Sequence, residues 1–235
     1  MIFLLTSGIL TTLILTLSWF FIRRQGRSDR APAQSASTIL ETKESAEKIT
    51  YWRISGIPED CDKDKLIDFL RKHDNSLKID LSDLSLFPGC YSQKQVGVLR
   101  TKGIPESFQR IKPEGDYVSI SGLSTGGVTI DRNFYNLTPL NRPEGGNSIV
   151  DVVAVTGLAG HAFGSWRNRE SGKMWLQDFL PNDIKNIRVL TYGYNSNLIG
   201  NTVDDTLQDQ RSNLFIQLLN VRNTAEVAIL TMIIP

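Results

Sequence analysis

The run Ile149-Val150-Asp151-Val152-Val153-Ala154-Val155 limits the possible folds of this chain more than any other stretch. It is dominated by β-branched residues and lacks the polar alternation of a half-exposed strand. Such a strand has to be covered on both faces, as strands of a parallel sheet are. It empties into a glycine-rich loop with Gly157, Gly160 and His161. Downstream, Trp175, Leu176, Phe179 and Leu180 suggest a short helix ended by Pro181, and Arg188–Tyr192 a second strand. Residues 204–222 predict an amphipathic helix with Leu207, Leu214, Phe215, Leu218 and Leu219 on one side, and Val227–Ile234 a third strand. This alternation is the opening half of a doubly wound α/β sheet, set at residues 149–235.

The opposite end of the chain has a different character. Residues 1–22, MIFLLTSGILTTLILTLSWFFI, carry no charge and are followed by Arg23-Arg24. That length of apolar sequence spans a bilayer as a helix, with Trp19, Phe20 and Phe21 at the interface. A cleaved signal peptide would have a charged start and a nearby small-residue cleavage site, and neither is present. The expectation is a retained single-pass anchor, with the arginines placing the rest in the cytosol or its organellar equivalent. Residues 23–48 are charged and Ala/Ser-rich, the composition of a disordered linker.

Residues 49–132 form a third pattern. ITYWRISGIP reads as a strand, Asp62 as the cap of a helix with Leu66, Ile67, Phe69 and Leu70 inward, and Leu84, Leu86 and Phe87 as a weak strand. QKQVGVLR is another strand, GIPESFQRIKP a short helix at best, and DYVSISGLSTGGVTID a hairpin-like close. The order β-α-β-β-α-β fits a ferredoxin-like α+β module such as the RNA-recognition fold. That fold stacks bases on aromatics of its central strands. Arg53, Val96, Val98 and Thr101 stand where rings are expected, so no nucleic acid partner is implied. Residues 133–148 are left as a second linker.

Within the hairpin, Gly122-Leu123-Ser124-Thr125-Gly126 matches G-x-S-x-G. A nucleophile elbow opens directly into a helix. Here GGVTID follows, which alternates as a strand does, so Ser124 reads as a turn residue. With 26 basic and 25 acidic residues the chain has no overall field for nucleic acid or acidic partners. Cys61 and Cys90 have no CxxC or metal-ligand spacing, and His73 and His161 are the only histidines. No metal site and no disulfide framework follow from these counts.

VDVVAVTGLAGHAFGSW, MWLQDFLP and IRVLTYGYNSN resemble the α/β-hydrolase domain of the lipase-like "serine active site-containing" proteins, and are especially similar to fungal members. FYNLTPLNRP resembles the segment following a degenerate RNA-recognition-like module in fungal relatives, and the resemblance extends over residues 50–222. It implies esterase or lipase chemistry on an acyl or lipid substrate in complete relatives, chemistry that uses no cofactor. It also implies an oxyanion hole using backbone N–H groups at Gly157 and Leu158, and a loop structured by Gly160 and His161. In relatives a G-H-S-L-G elbow follows the strand matching Val227–Ile234, and here that strand is followed by Pro235. The expectation is therefore a truncated, catalytically inactive member with no catalytic residue of its own, in the membrane of the endoplasmic reticulum or mitochondrion. The alternative from the residues alone is a non-enzymatic, membrane-tethered module that binds a protein partner.

Overall fold

A computed structural model describes residues 48–90, 93–112, 115–123, 126–144, 150–157, 159–195, 207–221 and 228–233. They build two sheets. The first has the order β2-β3-β1-β5-β4 and is antiparallel throughout: β1 Ile49–Pro58, β2 Leu84–Pro88, β3 Lys94–Lys102, β4 Tyr117–Ile120 and β5 Val128–Asp131. The second is mixed, with the order β6-β8-β7-β9: β6 Asn136–Pro139, β7 Val150–Val155, β8 Ile187–Gly193 and β9 Ala228–Ile233. β8, β7 and β9 are parallel, and β6 runs antiparallel along β8. The expected parallel sheet thus carries an antiparallel edge.

Alternation along β1 sends Trp52 and Ile54 to one face, and a bulge between Ser55 and Ile57 returns Ile57 to the same side. Helix α1, Lys63–His73, covers that face with Leu66, Ile67, Phe69 and Leu70. Its start is set by Asp62, whose carboxylate accepts the Lys65 N–H at 2.8 Å. Its end is held by Asp74, which accepts from the amides and hydroxyls of both Ser76 and Ser107. Burial pushes the Asp74 pKa up, but these four hydrogen bonds outweigh it and hold the carboxyl at about 2.

Among the described residues of the first module no second helix forms. Glu106–Phe108 is a single 3-10 turn, bracketed by Pro105 and Pro113 in the sequence, and Phe108 meets Trp52 edge-on at 5.0 Å. Thr101 also departs from the expected face. It sits opposite Val96 and Val98, where its buried hydroxyl accepts from the Trp52 indole N–H at 2.9 Å. The strand period of two forces this, because Thr101 lies an odd number of residues from both valines.

Residues 133–148 are not a simple linker, since β6 pairs with β8 from Asn136↔Gly193 to Pro139↔Leu190. Pro139 is tolerated because β6 is an edge strand. The chain drops from one sheet to the other through Phe134 and Asn136, both at positive φ. Gly193 is required at this crossing: a Cβ there would lie 2.1 Å from the Phe134 carbonyl oxygen. Nor are 49–132 and 149–235 separate bodies; every described residue belongs to one compact unit, Ala46–Pro235. Phe87 and Val98, on the face of the first sheet away from α1, share a core with Phe134, Phe163, Trp166 and Val152 of the second region.

β7 is buried on both sides. Val152 and Ala154 face the core with Phe163, Trp166 and Leu176, while Val153 and Val155 face Leu137, Leu190, Tyr192 and Val221. Two short helical turns lie on the former side, α2 Trp175–Asp178 and α3 Leu180–Asp183. Pro181 stands in the first turn of α3 instead of ending a helix, a position where its missing N–H costs nothing. Helix α4, Leu207–Val221, covers the other side. Leu214 and Leu218 pack on this side as the pattern suggests, but Phe215 and Leu219 are 62% and 54% exposed. Gln217 turns inward instead, because its side-chain oxygen accepts the Leu137 N–H of edge strand β6.

Among the described residues no helix is long and apolar enough to cross a membrane. The anchor expected at residues 1–22 and the linker at 23–48 lie outside the described residues, apart from Lys48.

Candidate functional site

The chain leaves β7, enters β8 on one side, then crosses over to β9 on the other. The strand order therefore reverses between β7 and β9, whose carboxyl ends lie side by side at Val155 and Ile233. In open α/β sheets the crevice outside such a reversal is where ligands bind, because the two connections leave in opposite directions. The glycine loop, residues 156–166, starts at this point.

Its conformation is tightly specified. The Gly160 N–H donates to the Gly157 carbonyl at 3.1 Å, with Ala159 between them at φ 58°. A Cβ on Gly160 would lie 2.9 Å from that same carbonyl and from Thr156 Cβ, so only glycine fits. Tyr194 donates its hydroxyl to the Thr156 carbonyl at 3.1 Å, clamping the mouth of the loop from the end of β8. Burial raises the pKa of that hydroxyl and keeps it protonated.

His161 is committed to the backbone at both ring nitrogens. Nε2 lies 2.7 Å from the Arg132 carbonyl, and Nδ1 accepts the amides of Phe163 and Gly164 at 3.1 and 2.9 Å. A carbonyl on one side and two N–H groups on the other assign the proton to Nε2. Although part of the residue meets solvent, enclosure of the ring pushes its pKa below the ordinary histidine value. The nearby Arg132 and Arg167 charges act in the same direction, and the Arg132 carbonyl bond opposes them. Ser165 completes the loop by accepting the His161 N–H on its hydroxyl at 2.9 Å. The imidazole therefore has no free nitrogen with which to activate Ser165 or a water.

Of the residues singled out from the sequence, the structure gathers Gly157, Gly160 and His161 into this loop, while Leu158 and Ser124 lie outside the described residues. The GLSTG stretch joins β4 to β5, whose ends pair at Ile120↔Val128. Tyr192 packs in the core beside α4, stacked with Tyr194 at 6.1 Å. Neither cysteine is activated: burial pushes the Cys90 thiol up to about 12 and that of Cys61 above its ordinary value. Among the described residues no group of three or more His, Cys, Asp or Glu side chains could hold a metal ion.

The face of the first sheet where bases would stack is occupied by protein. Arg53 donates to Asp131, to the Tyr135 carbonyl and to Thr138, and Val98 is buried. Beside it opens a cleft of about 870 Å³ between this face and residues 163–178. No motif in the sequence marks it, although Arg167-Asn168-Arg169-Glu170-Ser171-Gly172-Lys173 places three cations within seven residues.

Comparison of the chain with protein-family models, with curated proteins and with solved structures returns no match.

Proposed function

We propose that this chain is a membrane-anchored, lipase/esterase-like α/β-hydrolase scaffold that does not turn over esters by itself. A ferredoxin-like module is built against it, with a hairpin strand added at one edge and a turn in place of the second helix. The strand order β6-β8-β7-β9 carries the reading. An antiparallel edge strand followed by a parallel β-loop-α-β-α-β run, with a glycine loop at the carboxyl end of its first parallel strand, is how an α/β-hydrolase sheet begins. The resemblance of residues 150–197 to lipase-like serine hydrolases points the same way. In such a sheet the loop after β7 supplies the oxyanion N–H groups, here Gly157 and Leu158, and the nucleophile follows β9. The described residues assemble no nucleophile–base pair, since both nitrogens of His161 are engaged. The apolar run at residues 1–22 would serve as the anchor, and the resemblance to that family points to the endoplasmic reticulum or mitochondrial membrane.

Carbonate extraction of membranes expressing the full chain, followed by labelling with a fluorophosphonate probe, tests both halves of the proposal. Retention in the membrane pellet without serine labelling is expected. Release into the wash overturns the anchor, and stoichiometric labelling overturns the absence of turnover.

A second reading, a membrane-tethered module for a protein partner, is favoured by the exposed apolar residues Phe215, Ile216 and Leu219 on α4. Crosslinking from a photoreactive residue at 215 in membranes checks it, and no protein adduct beyond the chain itself would count against it.

A further inference from the structure

The cleft beside the first sheet is built unlike the loop after β7. One wall is the ribbon closed by the antiparallel bridge Arg167↔Met174. Asn168 locks this ribbon: its backbone N–H donates to the Lys173 carbonyl at 2.8 Å, and its side-chain oxygen accepts from the Glu170 and Ser171 amides. The opposite wall comes from β1 and β3, through Tyr51, Val98 and Arg100. Arg167 lies across the Tyr51 ring, 4.1 Å from its centre, and Phe163 tilts against the same ring at 5.1 Å. The guanidinium is thus held by stacking and not by a carboxylate.

Charge in the cleft is unbalanced. Five cationic side chains, Lys48, Arg100, Arg167, Arg169 and Lys173, face three acidic ones, Asp83, Glu170 and Asp178. Two of the acids are already occupied. Asp83 grips Arg100 at 2.6 and 2.9 Å, and Asp178 accepts the Met174 N–H at 2.7 Å. Lys48, Arg167, Arg169 and Lys173 have no ion-pair partner among the described residues. An open cleft of this volume is the size that takes a small organic ligand. Clustered arginine forks and a lysine match the tetrahedral, multiply charged oxygens of phosphate.

We infer that the cleft binds a phosphate-bearing ligand, its phosphate held by Arg167, Arg169 and Lys173 and its organic part against Tyr51 and the exposed Ile49. The ligand is a soluble phosphate compound or a phospholipid headgroup, which share this chemistry. Gly157 and Gly160 do not line the cleft, so the inference stands apart from the hydrolase reading.

Hydrogen exchange of residues 167–174 tests it, with the full chain in phosphatidylcholine nanodiscs. The two arms are titration with inorganic pyrophosphate, and replacement of part of the lipid by phosphatidic acid. Saturable protection in the first arm assigns a soluble ligand; protection only in the second assigns a headgroup. Because Arg167 also packs on Tyr51, the main variant is R169Q/K173Q, two exposed side chains at the ribbon tip, expected to weaken binding at least ~10-fold. R211Q, an exposed arginine of α4 away from the cleft, is expected to bind as the unaltered chain does. Protection in neither arm overturns the inference, as does unchanged binding by R169Q/K173Q or an equal loss in R211Q.

Discussion

Arg53 of β1 and Asp131 of β5 form an ion pair in which one carboxylate oxygen receives two guanidinium nitrogens, at 2.7 and 2.8 Å. The other oxygen accepts the Asn133 and Phe134 amides at 3.0 and 2.8 Å. The same guanidinium reaches onward to the Tyr135 carbonyl and the Thr138 hydroxyl on β6. One pair thus closes the first sheet, shapes the turn that leaves it and ties that sheet to the second.

The two side chains are only 14% and 10% exposed, so removing one strands a buried charge. Arg53→Met is expected to cost about 3–5 kcal/mol in urea unfolding. Arg53→Lys, which keeps the charge but lacks the fork, is expected to recover only part of that loss. A loss within experimental error for Arg53→Met would show that the two sheets hold together without this link.

Asp74 makes stability depend on acid. Its folded pKa of about 2 lies below the ordinary aspartate value of 3.8. Its contribution is therefore full above about pH 4 and fades as the pH falls to about 2, a difference on the order of 2 kcal/mol. Urea midpoints of the unaltered chain and Asp74→Asn should differ at pH 6 and converge near pH 2. A gap that stays constant with pH would count against the charged carboxylate.

Gly193 has no room for a side chain, since Phe134 crosses within van der Waals contact. Gly193→Ala is expected to destabilise by about 3 kcal/mol or more, because the new methyl would meet the Phe134 backbone and the Ala162 Cβ, neither of which can swing aside. Gly172→Ala is the comparison. Its φ of +69° is strained for alanine, but the nearest atom is 4.0 Å away, so about 1 kcal/mol is expected. Thermal melting of both variants measures the contrast.

His161 should remain neutral at pH 7, with its proton on Nε2, in ring-nitrogen NMR spectra. Its folded pKa is lowered from 6.5, so the unfolded chain takes up the proton first as the pH falls. The stabilisation is full above about pH 6.5 and is lost progressively as the pH falls toward the folded pKa. His161→Gln should remove that component of the pH profile. An imidazolium signal at pH 7 would contradict the assigned tautomer.

The exposed face of α4 predicts a quiet substitution. Phe215→Ser should change stability by no more than about 0.5 kcal/mol, although Phe215 belongs to the apolar set of the helix. Leu176→Ala, fully buried beneath β7, should cost about 2–5 kcal/mol in the same assay.

β1, α1 and β7 could be read from the residues because their signals are local. Trp52 and Ile54 alternate, Asp62 caps the turn that follows it, and Val150–Val155 lacks a polar face. Gly157, Gly160 and His161 were legible as one loop for the same reason. Where each segment would find its partner was not legible. Asn136–Pro139 becomes a strand only because β8 lies beside it, and Gln217 turns inward only because that edge offers a free N–H. The cleft likewise exists only where the Arg167–Met174 ribbon meets β1 and β3. Periodicity and caps act over one or two turns of chain, so the sequence alone determined these elements and their inward faces. Pairing between residues far apart in the chain depends on which surfaces meet, and only the tertiary structure decided that Arg53 would reach Thr138 and that Arg167 would lie across Tyr51.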